Sequence, residues 1–109
     1  EHDVHKDHRI MSHITRVACR PRSCCPVNTL LEYSIPGSTE WGQASVQFNT
    51  FQDITQHSDI KMEMISKYKS ELRPSPDPVS LEMIEARDRY HGSLCGYSKA
   101  EMFRQIYRR

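Results

Sequence analysis

The sequence predicts a mainly α-helical fold, in which several short amphipathic helices are joined by extended, proline-containing connectors. Three observations lead to this expectation: apolar residues spaced four apart over residues 60–72, two serine-capped segments after residue 79, and a run of alternating prolines between these regions. The middle of the chain leaves room for one short hairpin or strand.

The clearest helix is predicted near residues 59–72, within an acidic middle segment, residues 26–73. One side of that helix would carry apolar residues four positions apart, namely Ile60, Met64, Tyr68 and Leu72. Ser58 precedes the helix and can cap its first turn. Residues 74–79 contain prolines at alternate positions, which predicts an extended spacer.

Residues 80–109 are predicted to form a pair of helices. Ser80 can cap the first helix, which would run from Leu81 to about Tyr90 and end at Gly92. A second helix would start at a capping box, the Ser-x-x-Glu pattern of residues 98–101. Its apolar side would carry Ala100, Phe103, Ile106 and Tyr107.

Residues 1–25 form a basic N-terminal segment that contains histidines and cysteines. A helix is expected from Asp7 to about Cys19, with Ile10, Ile14 and Val17 on one side. In residues 28–54 the strand pattern and the helix pattern compete, and both stay open.

The composition predicts a chain that folds only marginally by itself. Val, Ile, Leu and Phe supply 21 of the 109 residues, and the formal net charge is +1. Ordering the backbone costs about 1–2 kcal/mol per residue, which so thin a core offsets poorly. We therefore expect the isolated chain to be far less ordered than the chain bound to a partner.

The absence of a recognisable catalytic motif favours a non-catalytic accessory or scaffolding subunit that packs against other proteins in a larger assembly. Cys95 follows His91 by four residues, but the sequence nearby shows no further group that would complete a catalytic site. A mitochondrial complex and a cytoskeletal or ciliary lattice, such as a microtubule lining, both stay open. No cofactor is expected. Aromatic side chains dominate interface energetics, so the predicted partner-binding residues are Trp41, Tyr68, Phe103, Ile106 and Tyr107.

The first alternative is a small metal-binding module that uses the His/Cys-rich N-terminus. Its candidate ligands are His8, His13, Cys19 and Cys24, because imidazole and thiolate are zinc ligands. On a helix, however, His8 and His13 would lie about 140° apart around the axis.

The second alternative is a secreted chain with disulfides. Four cysteines in 109 residues are few for a disulfide scaffold, which favours reduced thiols in an intracellular protein. The small net charge disfavours nucleic-acid binding. No segment has the roughly 18 apolar residues of a membrane span.

Overall fold

The structure is a computed structural model that describes residues 3–42 and 44–109. Its helices are α1 (Lys6–Ala18), α2 (Ser58–Ser66) and α3 (Leu81–Cys95). Its strands are β1 (Thr29–Tyr33), β2 (Thr50–Asp53) and β3 (Ala100–Arg108). Two short 3₁₀ turns, Thr39–Trp41 and Thr55–His57, precede β2 and α2 respectively.

The three strands form an antiparallel sheet in the order β1-β3-β2. Thr29 pairs with Arg108 at one end of the β1–β3 ladder, and Tyr33 pairs with Phe103 at the other. The register shifts between Leu30 and Leu31. The C-terminal strand is therefore central, with hydrogen-bonded neighbours at both edges.

The prediction of a mainly α fold is wrong: the chain is mixed, with 41% helix and 17% strand. The C-terminal helix pair is absent, because the segment that carries Phe103, Ile106 and Tyr107 is strand β3. The apolar spacing there fits a helix, but aromatic and β-branched residues also suit a strand. Pairing with two neighbours satisfies the backbone of β3, and this tertiary effect outweighs local helix propensity.

Two helices end at residues other than those predicted. Helix α2 stops at Ser66, so the predicted stripe is helical only in its first half. Helix α3 continues through Gly92 to Cys95 and ends at Gly96, whose φ of 82° suits glycine. Gly92 instead allows a close approach, since a Cβ there would lie 2.5 Å from the carbonyl oxygen of Tyr97.

Two local predictions are confirmed. A helix does occupy most of the segment predicted near the N-terminus, as α1. Ser80 caps α3, and its side-chain oxygen accepts a hydrogen bond from the Met83 amide at 3.2 Å. The open choice over residues 28–54 is resolved as two strands, β1 and β2, with one 3₁₀ turn between them.

The contacts divide the chain into two compact units. Unit 1 comprises Glu1–Thr50 and Phe103–Arg109, and unit 2 comprises Phe51–Met102. The apolar residues that are buried among the described ones all belong to unit 2, and they are Ile54, Ile84 and Ala100.

Unit 2 packs α2 against α3 and ties its charged groups together. The Lys61 ammonium lies 2.8 Å from the buried carboxylate of Asp88 and 2.7 Å from that of Glu101. Lys99 donates to the buried Ser58 hydroxyl at 2.5 Å and to Glu85 at 3.0 Å. Two lysines thus form ion pairs with three carboxylates in unit 2, and Arg89 also contacts one of these, Glu85, at 3.1 Å.

Candidate interaction surface on helix α1

The start of helix α1 is anchored by the buried carboxylate of Asp3. This carboxylate accepts hydrogen bonds from the His5 amide at 2.7 Å, from the Thr39 hydroxyl at 2.9 Å and from the Ser38 hydroxyl. The His8 ring nitrogen Nδ1 lies 3.2 Å away. Burial opposes ionisation, but these hydrogen bonds outweigh it and lower the pKa of Asp3 to about 2.

The body of helix α1 is tied to strand β1 through one acidic residue, Glu32. Arg16 donates from Nε at 2.8 Å and from Nη2 at 2.6 Å, and Ser12 donates at 3.0 Å, all to the same carboxylate oxygen. The second oxygen lies 3.7 Å from Arg104 of β3. The side of α1 that faces its own unit is therefore polar.

The electrostatics of Glu32 agree with this anchoring role. Desolvation alone would raise its pKa, but the hydrogen bonds from Arg16 and Ser12, with the Arg16 charge, hold the pKa below its ordinary value. Hydrogen bonds that involve an ionised group are stronger than neutral ones. The carboxylate is thus charged near neutral pH and links α1 to the sheet.

The opposite side of α1 is apolar and exposed. At about 100° per residue, Ile10, Ile14 and Val17 lie nearly opposite the residues that bond to Glu32. Their exposed fractions are 45%, 53% and 47%, and no described residue of α1 is buried. An amphipathic helix normally turns its apolar stripe toward the core. This helix does the reverse.

Basic side chains border the apolar stripe on one side. Lys6, Arg9 and His13 precede the stripe around the helix axis, and Lys6 and His13 are exposed. Unit 1 as a whole contains eight Lys/Arg against five Asp/Glu, a formal charge of +3. The helix therefore presents an apolar strip with a basic flank.

A groove of about 420 Å³ lies on the inner side of α1. Its polar groups already contact each other, since Asp3 lies beside His8 and Arg16 bonds Glu32. The apolar part of its lining comprises Met11, Leu30, Leu31, Tyr33, Ile35 and Val46. These satisfied charges serve to hold α1 in place.

No family model, no curated protein sequence and no solved structure shows significant similarity to this chain. Functional inference therefore rests on the geometry of its own residues. Among the described residues, no helix has both the length and the apolar character to cross a membrane.

The predicted partner-binding residues fall into two groups. Trp41 in unit 1 and Tyr68 in unit 2 are strongly exposed, at 77% and 67%. Phe103, Ile106 and Tyr107 are instead partly buried in the central strand β3. The first two remain candidate contact residues, whereas the last three contribute to the sheet of the chain itself.

The candidate metal ligands are dispersed. His8 contacts Asp3 in the groove, whereas His13 is exposed on the basic flank. Cys19 follows the last turn of α1, and Cys24 is exposed in the loop beyond it. Within residues 3–42 and 44–109, no three His, Cys, Asp or Glu side chains are grouped to hold a metal ion.

The cysteine–histidine pair of α3, Cys95 and His91, has the arrangement of structural residues, in which the thiol bonds the helix backbone. The Cys95 thiol donates to backbone carbonyls of its own helix, 3.4 Å from that of His91 and 3.5 Å from that of Gly92. The imidazole is buried, and desolvation lowers its pKa first, followed by the charge of Arg87. The thiol is thus directed at the helix backbone.

Sequence reasoning missed the two acidic anchors of α1. Asp3 and Glu32 looked like ordinary surface carboxylates, yet they decide which side of the helix faces inward. A signal existed for Glu32, which interrupts the apolar run of β1. An acidic residue within an apolar strand calls for a cationic partner, and Arg16 supplies it.

Proposed function

We propose that this chain is a non-catalytic accessory subunit that docks onto another protein through the exposed apolar side of helix α1. The observation that supports the proposal is the inverted orientation of α1, whose polar side bonds Glu32 while its apolar side is exposed. Ile10, Ile14 and Val17 have the spacing with which a helix binds a groove on a partner. The assembly would belong to mitochondria or to the cytoskeleton.

The energetics support a bound state. Covering the remaining exposed surface of these three side chains would contribute roughly 2–4 kcal/mol. Other large apolar side chains of unit 1 are exposed as well, among them Tyr33 at 68% and Trp41 at 77%. Burial of such groups on a partner compensates for the small number that the chain buries by itself.

The charge around the stripe indicates the chemistry of the partner. Lys6, Arg9 and His13 flank one side of it, so a matching groove would be apolar with an acidic border. Self-association through an antiparallel pair of α1 helices would bring the two basic flanks together. A different, acidic protein is therefore the better match.

The decisive experiment places a photo-crosslinking amino acid at position 14 of the full chain in cells that make it natively. We expect one dominant cross-linked protein, with the linkage mapped to an apolar groove that has acidic residues at its border. In binding assays with that protein, Ile14→Asp should weaken affinity by about thirtyfold, the roughly 2 kcal/mol of a hot-spot residue.

The matched control is Ile60→Asp, which makes the same change at an isoleucine of α2 that is 61% exposed. It should leave affinity nearly unchanged. Docking through α1 would be contradicted if the probe at position 14 captured no protein, or if the two substitutions weakened affinity equally.

A further inference from the structure

Strand β1 lies at one edge of the sheet, because the strand order is β1-β3-β2. Strand β3 pairs with it on one side, and among the described residues no strand pairs with it on the other. In an antiparallel ladder, alternate residues direct their N–H and C=O groups away from the neighbouring strand. The outer edge of β1 therefore presents backbone donors and acceptors that a further strand can bind.

The groove of about 420 Å³ beside α1 follows this outer edge. Its lining includes four consecutive residues of β1, Leu30–Tyr33. Because successive strand residues point to opposite faces of a sheet, a groove that contacts all four runs along the edge and not across one face. None of the described residues that line it belongs to β3, which a groove across the face would reach.

The other walls of the groove come from helix α1 and from the chain after β1. The apolar side chains there are Met11 of α1, Ile35 and Val46. The two carboxylates of the groove already have partners, since Asp3 accepts from Thr39 and Glu32 accepts from Arg16. A further charged side chain would lose its water there without gaining a partner. The groove therefore suits uncharged, apolar side chains.

We propose that this groove binds an extended, uncharged segment of a partner protein, which has apolar side chains at alternate positions and joins the sheet beside β1 as a fourth strand. In this mode, main-chain hydrogen bonds supply affinity and pockets for alternate side chains supply specificity. The five residues of β1 extend over about 17 Å, at roughly 3.4 Å per residue, and can pair with a segment of similar length.

A second copy of the chain fits the groove less well than a free segment of another protein. The β1 strand of that copy is tied to its own α1 through the contact of Arg16 with Glu32, so the helix would have to enter with the strand. The inference goes beyond the proposed docking, which uses the outer side of α1, whereas the groove lies on the inner side. Either one can fail while the other holds.

The test begins with selection of random heptapeptides displayed on phage against the full chain. We expect enrichment of uncharged sequences with Val, Ile or other apolar residues at alternate positions. The enriched peptide, made with acetylated and amidated ends, should slow hydrogen exchange in Thr29–Tyr33 and leave α3 unchanged.

Methylation of the peptide backbone nitrogens distinguishes strand addition from binding by side chains alone. Alternate N–H groups of an added strand face β1, and the others face away from it. Methylation of the set that faces β1 should lower affinity by about tenfold or more, and methylation of the other set should change it far less.

A charge placed in the groove should also block the peptide. Met11 is 60% exposed, so Met11→Glu leaves the fold intact, and we expect it to weaken peptide binding by about tenfold. The matched control is Ile14→Glu on the outer side of the same helix, where the side chain is 53% exposed. That substitution should leave peptide affinity unchanged even though it blocks the proposed docking.

Three outcomes would overturn the inference. One is a selection that enriches only charged sequences or none. Another is equal loss of affinity from the two methylated sets, or from Met11→Glu and Ile14→Glu. The third is slower exchange in β1 that follows the concentration of the chain alone, because a second copy would then occupy the edge.

Discussion

Unit 2 contains the apolar side chains that are buried among the described residues, whereas the one buried residue described in unit 1 is the acid Asp3. In unit 2, Ile54, Ile84 and Ala100 are buried, and Lys61 forms ion pairs with Asp88 and Glu101. In unit 1, hydrogen bonds to carboxylates fix a helix whose apolar side remains exposed. Unit 2 therefore has a small buried apolar core, whereas in unit 1 polar contacts hold α1 and leave its apolar side exposed.

The two units also differ in formal charge. Unit 1 has a formal charge of +3, and unit 2 has seven Lys/Arg against nine Asp/Glu, a formal charge of −2. The small net charge of the whole chain therefore conceals a basic unit and an acidic one. An acidic partner would be attracted to unit 1, where α1 is exposed.

The largest expected contrast comes from the same substitution in each unit. Ile84 is 8% exposed and Ile14 is 53% exposed. Ile84→Ala leaves a cavity in unit 2 and should lower the free energy of unfolding by about 3 kcal/mol. Ile14→Ala should change it by less than about 0.5 kcal/mol in the isolated chain. Urea titration followed by circular dichroism measures both.

A milder pair of substitutions keeps the comparison measurable if Ile84→Ala unfolds the chain completely. Ile84→Val should cost about 1 kcal/mol, and Ile14→Val should cost nothing measurable. Equal losses at positions 84 and 14 would show that unit 1 has a core that depends on the apolar side of α1, and would contradict the comparison.

The sequence predicted the helical parts of the chain better than the sheet, and the reason is physical. Helix α1 and the Ser80 cap depend on residues a few positions apart, so local patterns reveal them. Strand β3 depends on β1, which lies some 70 residues earlier, and its own spacing suits either structure. Which side of α1 faces inward depends on Glu32 of that same distant strand. Local patterns carry no record of such partners.

Acid should destabilise unit 2 before unit 1. In unit 2, burial lowers the pKa of His91 first, and the charges of Arg87 and Lys61 lower it further, whereas the Asp88 charge and a hydrogen bond to the Ala100 backbone oppose them. Its pKa is lowered below the ordinary 6.5, so the unfolded chain binds this proton more readily. Stability is therefore present above pH 6.5 and is lost as the pH falls through the lowered folded pKa.

In unit 1 the corresponding group is Asp3, with a pKa of about 2 against an ordinary 3.8. Its contribution, about 2 kcal/mol at most, is present above pH 3.8 and is lost between 3.8 and 2. Hydrogen exchange at stepped pH should show α3 opening first and α1 only in stronger acid. His91→Gln should remove the early step, and the same change at the exposed His57 should not. Loss of α1 protection already near pH 6 would contradict this order.

The smallest expected effect tests whether charged hydrogen bonds alone hold α1. Glu32→Gln keeps the size of the side chain but removes the charge that Arg16 contacts at 2.6 Å. The side chains of this pair are only 28% and 16% exposed, so solvent screens it incompletely. The opening free energy of α1 should fall by about 1 kcal/mol, seen as faster hydrogen exchange in Lys6–Ala18 with α3 unchanged.

The control is Glu63→Gln in unit 2, whose partner Lys67 lies 3.5 Å away with both side chains about 70% exposed. Because exposed pairs contribute little, that substitution should leave exchange in α2 unaffected. High salt should reproduce part of the Glu32→Gln effect in α1. If α1 keeps full protection in Glu32→Gln, apolar contacts in the groove hold the helix. The two units would then differ only in the buried apolar residues of unit 2.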